Sequence, residues 1–83
     1  KIVYENVSDR LQTILSRLKG VKKVGPNTYR AYSPLRDEKV PSLYITEKDN
    51  GYILMNDRGG GDTKATLTKI GLTMRILFPD GGS

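Results

Sequence analysis

The chain has 83 residues, carries a formal net charge of +5 at pH 7 and contains neither cysteine nor histidine. This composition excludes disulfide bonds and any zinc site built on thiolate or imidazole ligands. A single small domain of this kind must be stabilised by apolar packing and hydrogen bonds alone. No apolar run approaches the ~20 residues of a membrane span, and nothing at the N-terminus resembles a signal peptide. We therefore expect a cytoplasmic protein without a membrane partner.

The basic charge has two interpretations. A pI near 9.6 suggests a polyanionic partner, most commonly nucleic acid, bound through its phosphates. The same charge also keeps a small domain in solution without any partner. Charge alone leaves both interpretations open.

Residues 6–20 predict an amphipathic helix. Its apolar residues recur at i, i+3, i+4 and i+7 as one stripe, formed by Leu11, Ile14, Leu15 and Leu18. Asn6 or Ser8 is expected to cap the first turn, and Gly20 is expected to end the helix. The cations off this stripe are expected to face water: Arg10, Arg17 and Lys19.

Alternating residues predict antiparallel strands after a turn at Gly25-Pro26-Asn27. In residues 28–32 the alternation places Tyr29 and Ala31 on one face and Arg30 and Tyr32 on the other. Residues 42–57 predict a hairpin around Asn50-Gly51, in which Leu43 and Ile45 alternate with Tyr44 and Thr46. The return segment YILM, residues 52–55, is apolar on both faces, which favours a central strand.

The C-terminal third predicts helical structure. Asp62 is expected to cap a helix over residues 63–70, which Gly71 ends with Leu72 packed back on its last turn. One further helical turn follows, capped by Thr73 and stopped by Pro79. The predicted fold is α+β: a small antiparallel sheet framed by an N-terminal and a C-terminal helix. Residues 1–79 would form one domain, and residues 80–83 a flexible tail.

Three segments occur in order along the chain: SPLRDEKVPSLYI (33–45), GYILMNDRGGGD (51–62) and LTKIGLTMRILFP (67–79). Together they resemble the N-terminal zinc-ribbon domain of bacterial, phage and mobile-element DNA primases. That family's pattern runs Cys-Pro-x-His, an acidic and a basic residue, and Pro-Ser-Leu or Pro-Ser-Phe opening a strand. A hairpin, a Cys-containing glycine-rich turn and a helix ending in Gly-Leu follow. The resemblance covers residues 15–79, and many mobile-element members also close with Leu-Phe-Pro.

The chain departs from this pattern at every metal ligand. By the resemblance, Ser33 stands at the first cysteine, Arg36 at the histidine and Asp57 at a cysteine of the second half. The fourth ligand falls on Gly61 or Leu54, depending on the ligand spacing used. None of these residues reproduces a Cys3His site. We therefore expect a ribbon that folds without zinc and without any cofactor.

The resemblance also places Arg36 opposite Asp57. A structural zinc contributes on the order of 10 kcal/mol to the folding of small zinc fingers. A bidentate Arg36–Asp57 pair would join the same two segments and contribute about 1–3 kcal/mol. In the alternative interpretation both charges are solvated, and Arg36 is available to contact DNA.

In the primases of this family the ribbon domain is not the catalyst. It binds single-stranded template and helps a separate polymerising domain choose its starting point. We therefore expect no enzymatic activity here. The carboxylates that could in principle hold Mg²⁺ are Asp37, Glu38, Asp57 and Asp62. A helix cap explains Asp62 better, and a turn explains Asp37 and Glu38 better.

One sheet face is expected to bind single-stranded DNA. Alternation brings together Arg30, Tyr32 and Tyr44, and adjacent loops are expected to add the cations Lys22, Lys23, Lys39 and Arg58. Such a face suits a single strand because bases stack on aromatic rings while phosphates meet Lys and Arg. In the competing interpretation the tyrosines pack inside the sheet, which we favour for Tyr29 and Tyr52 only.

A second hypothesis is a docking module for a helicase, a polymerase or a primase core. Such a module would have lost DNA binding together with zinc. Leu77 and Phe78 would then form an exposed apolar hook, although we expect them to pack under the sheet and close the core.

Overall fold

A computed structural model describes residues 7–37 and 39–79 of the chain. The elements in chain order are α1 (Asp9–Ser16), β1 (Lys19–Gly25), β2 (Thr28–Tyr32), β3 (Leu43–Glu47), β4 (Ile53–Asp57), α2 (Thr63–Lys69) and a 3₁₀ helix (Met74–Leu77). The predicted tail, residues 80–83, and the candidate cap Asn6 lie outside the described residues.

The four strands form one antiparallel sheet in the order β1-β2-β3-β4. Its core face is built by the inward residues of β2, β3 and β4, and α1, α2 and the 3₁₀ helix pack on that face as one cluster. The predicted α+β class, with helices flanking an antiparallel sheet, is confirmed. The alternation is also as predicted, because Tyr29, Ala31, Leu43 and Ile45 are all buried.

Helix α1 starts as predicted but ends early. Ser8 is its N-cap and accepts a hydrogen bond from the Leu11 amide at 3.2 Å. The helix ends at Ser16, and the prediction that Gly20 ends it is wrong. Gly20 instead lies in β1 with φ +67°. The amides of Arg17 and Leu18 bond to carbonyls three residues back, and this tightened turn leads the chain directly into the strand.

Arg10 does not simply face water, which corrects a second expectation for this helix. Its Nη1 donates to the Ile76 carbonyl at 3.1 Å, and its Nη2 donates to the Gly51 carbonyl at 2.7 Å. Arg10 therefore ties α1 to the hairpin turn and to the C-terminal segment. Lys19 is likewise not a helical residue but the first residue of β1.

The hairpin between β3 and β4 turns at Asn50-Gly51 as predicted, with Gly51 at φ +88°. The prediction that the YILM segment is a central strand is wrong, because β4 lies at the edge of the sheet. Ile53 is buried, while Leu54 on the other face is 41% exposed. Tyr52 lies just before the strand and contacts Phe78, with ring centroids 5.1 Å apart. The apolar character of this segment thus reflects core packing of Ile53 and Met55 on one face and not burial on both faces.

The C-terminal elements follow the sequence closely. Asp62 caps α2 by accepting from the Ala65 amide at 3.0 Å. Gly71 has φ +79°, and the Leu72 amide bonds to the Leu67 carbonyl at 2.9 Å, which closes a Schellman motif.

The expectation that Leu77 and Phe78 both pack under the sheet is confirmed for Leu77 and wrong for Phe78, which is not part of the core cluster. Leu77 is buried and Phe78 is 38% exposed. Within the described ranges, no helix has the length and apolar character needed to cross a membrane.

Candidate nucleic-acid interface

The sheet has a second face, opposite the core, which we call the open face. It presents the half-buried or exposed side chains that alternate with the core residues. These are Lys22 of β1, Thr28, Arg30 and Tyr32 of β2, Tyr44 and Thr46 of β3, and Leu54 and Asn56 of β4. Because the helices pack on the core face, this surface is the one on which a flat ligand can lie.

Four residues of the open face form a row across all the strands. Arg30 is paired with Lys22 on one side and with Tyr44 on the other, and Tyr44 is paired in turn with Asn56. Directly opposed residues have Cβ atoms only about 4.5–5.5 Å apart. The Nε atom of Arg30 is buried and has no hydrogen-bond partner among the described residues. The row therefore sets two cations beside an aromatic ring.

The Tyr44 ring is already in contact with another side chain, that of Arg58. The guanidinium carbon of Arg58 lies 4.2 Å from the centroid of its ring, a cation–π contact. Arg58 occupies the turn after β4, as expected, and its amide donates to the Ser42 carbonyl at 2.9 Å. A base above Tyr44 would thus meet a guanidinium plane, which stacks on nucleobases as aromatic rings do.

Tyr32 depends on a glycine in the neighbouring strand. A side-chain carbon at Gly20 would lie 2.6 Å from both Cδ2 and Cε2 of the Tyr32 ring. The missing side chain therefore lets this half-buried ring lie against the edge strand. The Tyr32 hydroxyl donates to the Lys39 carbonyl at 3.5 Å. Lys39 itself is exposed in the loop between β2 and β3, as expected.

Lys22 and Lys23 lie in β1, which corrects the expectation that they belong to loops. The pairing of Lys22 with Arg30 puts it on the open face, whereas the pairing of Lys23 with Tyr29 puts it on the opposite side. Both remain exposed because β1 is an edge strand. Only Lys22 therefore belongs to the row.

Arg36 and Asp57 form an ion pair, which decides between the two interpretations left open by the sequence in favour of the bridge, although the contact joins a single nitrogen to a single oxygen and is not the bidentate pair expected. The Arg36 Nη2 atom lies 2.7 Å from Asp57 Oδ1 and also donates to Ser42 Oγ at 2.7 Å. The same Asp57 oxygen accepts from the Gly59 amide at 2.8 Å and from Ser42 Oγ at 3.3 Å. The Asp57 side chain is only 2% exposed, and that of Arg36 is 33% exposed. Arg36 is therefore held in the structure and is not a free DNA contact.

Contacts of Asp57 hold the pKa of its carboxyl below the ordinary value of 3.8. The hydrogen bond from Arg36 has the largest effect. Burial opposes it by raising the pKa, while the Gly59 amide, the positive charge of Arg36 and the Ser33 hydroxyl lower it further. Asp57 is therefore a stably ionised carboxylate at neutral pH.

The positions that the resemblance assigns to former ligands lie together around this carboxylate. Ser33 is 2% exposed, and a hydrogen bond from its hydroxyl helps to lower the pKa of Asp57. A side-chain carbon at Gly61 would lie 3.0 Å from Asp57 Cγ. The alternative fourth position, Leu54, is on the open face instead. These residues do not fit zinc, because the cation among them is a guanidinium. No cluster of three His, Cys, Asp or Glu occurs in residues 7–37 and 39–79.

A cationic groove beside the open face was missed by the sequence interpretation. It involves Tyr32 and Lys39, which were predicted, and Arg17, Lys19 and Lys69, which were not. The unpredicted residues come from the end of α1, the start of β1 and the end of α2. Only packing of the two helices on the sheet brings them together, so no local sequence signal could have found them.

Comparison of the chain with protein-family models, with curated proteins and with solved structures finds no match.

Proposed function

We propose that this domain is a non-catalytic module of a DNA replication system and binds single-stranded DNA on its open face. The observation that carries the proposal is the row of Lys22, Arg30 and Tyr44 across the sheet. Arg58 extends it through its cation–π contact with Tyr44. Phosphates would meet the cations, and bases would stack on Tyr32 and on the Tyr44–Arg58 pair.

A single strand suits this surface better than a duplex does. Stacking on a protein ring requires an exposed base face, and paired bases in a helix do not offer one. Among residues 7–37 and 39–79, the helices pack on the core face, and none projects from the open face to enter a major groove. Binding should be weak, in about the micromolar range or looser, because one small face offers only a few phosphate contacts.

The resemblance to primase ribbon domains supports the replication context. The positions assigned to former ligands on sequence grounds lie around one carboxylate. In place of a metal ion, the Arg36–Asp57 pair joins the two segments that carry these positions. We propose that the domain acts in the cytoplasm beside a primase, helicase or polymerase core.

Leu54 supports the second candidate, a docking module for such a core. It lies on the open face and is 41% exposed. An apolar partner could cover it. Salt separates the two candidates, because phosphate contacts weaken steeply as salt rises and apolar docking does not.

The test is a fluorescence-anisotropy titration of a labelled single strand and of the matching duplex, at low and at moderate salt. We expect the single strand to bind more tightly than the duplex and to weaken as salt rises. Absence of single-strand binding at low salt would reject the proposal and leave the docking module as the leading candidate.

A further inference from the structure

A groove of about 920 Å³ lies where the open face meets the ends of both helices. Its walls come from the α1–β1 junction, the loop after β2 and the last residue of α2. Five of its lining residues are cations, against one acidic residue, Asp37, among the lining residues that the structure describes. The cations are Arg17, Lys19, Arg36, Lys39 and Lys69.

Internal contacts explain some of these cations but not all. Arg36 is paired with Asp57. Arg17 donates to the Ile70 carbonyl at 3.0 Å, and Lys69 lies in the last turn of α2, where a positive charge complements the helix dipole. Lys19 and Lys39 have no such role, since neither forms a salt bridge within residues 7–37 and 39–79.

The unexplained charge indicates an anionic ligand. Like charges gathered at one concave site repel one another, and they raise the local concentration of anions. Pro34 and Leu35 add apolar surface to the wall. The open groove also suits an extended ligand.

We propose that the groove binds backbone phosphates of the strand whose bases lie on the open face. Tyr32 belongs to both surfaces, because it lies on the open face and also lines the groove. Lys19 is its partner across the β1–β2 ladder. A strand that stacks on Tyr32 therefore continues into the groove without a break. The identity of the ligand rests on the proposed function, whereas the affinity of the groove for phosphate is measurable by itself.

The experiment compares two double variants of equal net charge. Lys19→Gln with Lys69→Gln removes two groove cations, and Lys48→Gln with Lys64→Gln removes two cations that do not line the groove. Each is titrated with inorganic tripolyphosphate, followed by amide resonances. Each is also titrated with oligothymidylates of about 4 and about 12 nucleotides, a range typical of single-strand sites.

Tripolyphosphate should shift the amide resonances of Lys19, Tyr32 and Lys39 in the parent and in the control. The groove variant should bind the longer strand at least about tenfold more weakly than the control does at about 50 mM salt. The slope of log affinity against log salt should fall by about 1.4, since each phosphate contact to a single strand contributes about 0.7. Binding of the shorter strand, which fits on the open face, should be weakened much less in the groove variant.

Two outcomes would overturn the inference, and they are distinguishable. If tripolyphosphate leaves the groove resonances unmoved and both variants bind the longer strand equally, the groove is not a phosphate site. Loss of binding on changing Tyr32 would then still support the proposed function. If tripolyphosphate binds in the groove but no strand binds the parent, the proposed function fails. The ligand would in that case be a small phosphorylated molecule and not a strand.

Discussion

The Nη2 atom of Arg36 lies 2.7 Å from Oδ1 of Asp57 and joins the loop before β3 to the end of β4. Ser42 lies between the same segments, since it accepts from Arg36 and donates to Asp57. One guanidinium thus holds these two segments together. The stability of the domain should depend on this pair.

A double-mutant cycle tests that dependence. Asp57→Ala and Arg36→Met should each lower the free energy of unfolding by about 1–3 kcal/mol, with the lower end favoured because Arg36 is partly screened by solvent. The double variant should lose less than the sum, with a coupling of about 1–2 kcal/mol, because both changes remove one interaction. Urea unfolding provides the values, and a coupling near zero would show that the pair contributes nothing.

The lowered pKa of Asp57 predicts a loss of stability in acid. The folded value lies below 3.8, whereas an unfolded aspartate titrates near about 3.9. Between the two values the unfolded state binds more protons, so the contribution is complete above the unfolded pKa and is lost as pH falls through the folded pKa. The stability difference between the parent and Asp57→Asn should therefore be constant near neutral pH and shrink below about pH 4. A difference that stays constant into that range would contradict this assignment.

Gly61 lies beside the ion pair, does not adopt positive φ and has no room for a side chain. A side-chain carbon there would lie 3.0 Å from Asp57 Cγ and 3.0 Å from Leu35 Cδ1. Gly61→Ala should cost about 1–3 kcal/mol, as overpacking does. Gly25→Ala is the matched control, since its added carbon meets only Thr28 Cβ at 3.8 Å. Thermal unfolding compares them, and equal melting temperatures would reject the crowding at Gly61.

The spacing of apolar residues and the helix-capping residues in the sequence predicted most of the fold. The alternation of Tyr29 with Arg30 assigned both faces of β2, and Asp62 and Gly71 marked the ends of α2. The prediction that Gly20 ends α1 was wrong, although a glycine after an apolar stripe is the usual sign of a helix end. Its actual role is tertiary, since it makes room for the Tyr32 ring.

Other errors have the same physical origin. The segment before Asn56 looked central because it is apolar on both faces, but tertiary strand pairing puts β4 at the edge of the sheet. Lys22 and Lys23 looked equivalent, and only the strand register separates them. In the candidate site, Arg30, Tyr32 and Tyr44 were found from alternation, whereas the groove cations required three-dimensional packing.

Tyr32 should contribute base stacking. Tyr32→Ala should weaken single-strand binding by about 1–3 kcal/mol, the usual loss for one base. Tyr32→Phe is the control, because it keeps the ring and removes only the hydroxyl that reaches the Lys39 carbonyl at 3.5 Å. Anisotropy at low salt gives both affinities, with circular dichroism to confirm folding. Equal affinity of the two variants would exclude stacking on this ring.

The neighbouring lysines of β1 test the open face most directly. Lys22 is paired with Arg30 on the open face, and Lys23 is paired with Tyr29 on the other side of the sheet. Lys22→Gln and Lys23→Gln remove the same charge from adjacent positions of one exposed strand. Any difference between their affinities for single-stranded DNA must therefore come from the face of the sheet on which the DNA binds.

The measurement is the affinity of one single-stranded oligonucleotide for the parent and both variants over a series of salt concentrations. The expected result is that Lys22→Gln reduces the slope of log affinity against log salt by about 0.7, the value of one phosphate contact, while Lys23→Gln leaves it unchanged. Equal slopes for the two variants, or a parent that binds no single strand at low salt, would contradict binding on the open face.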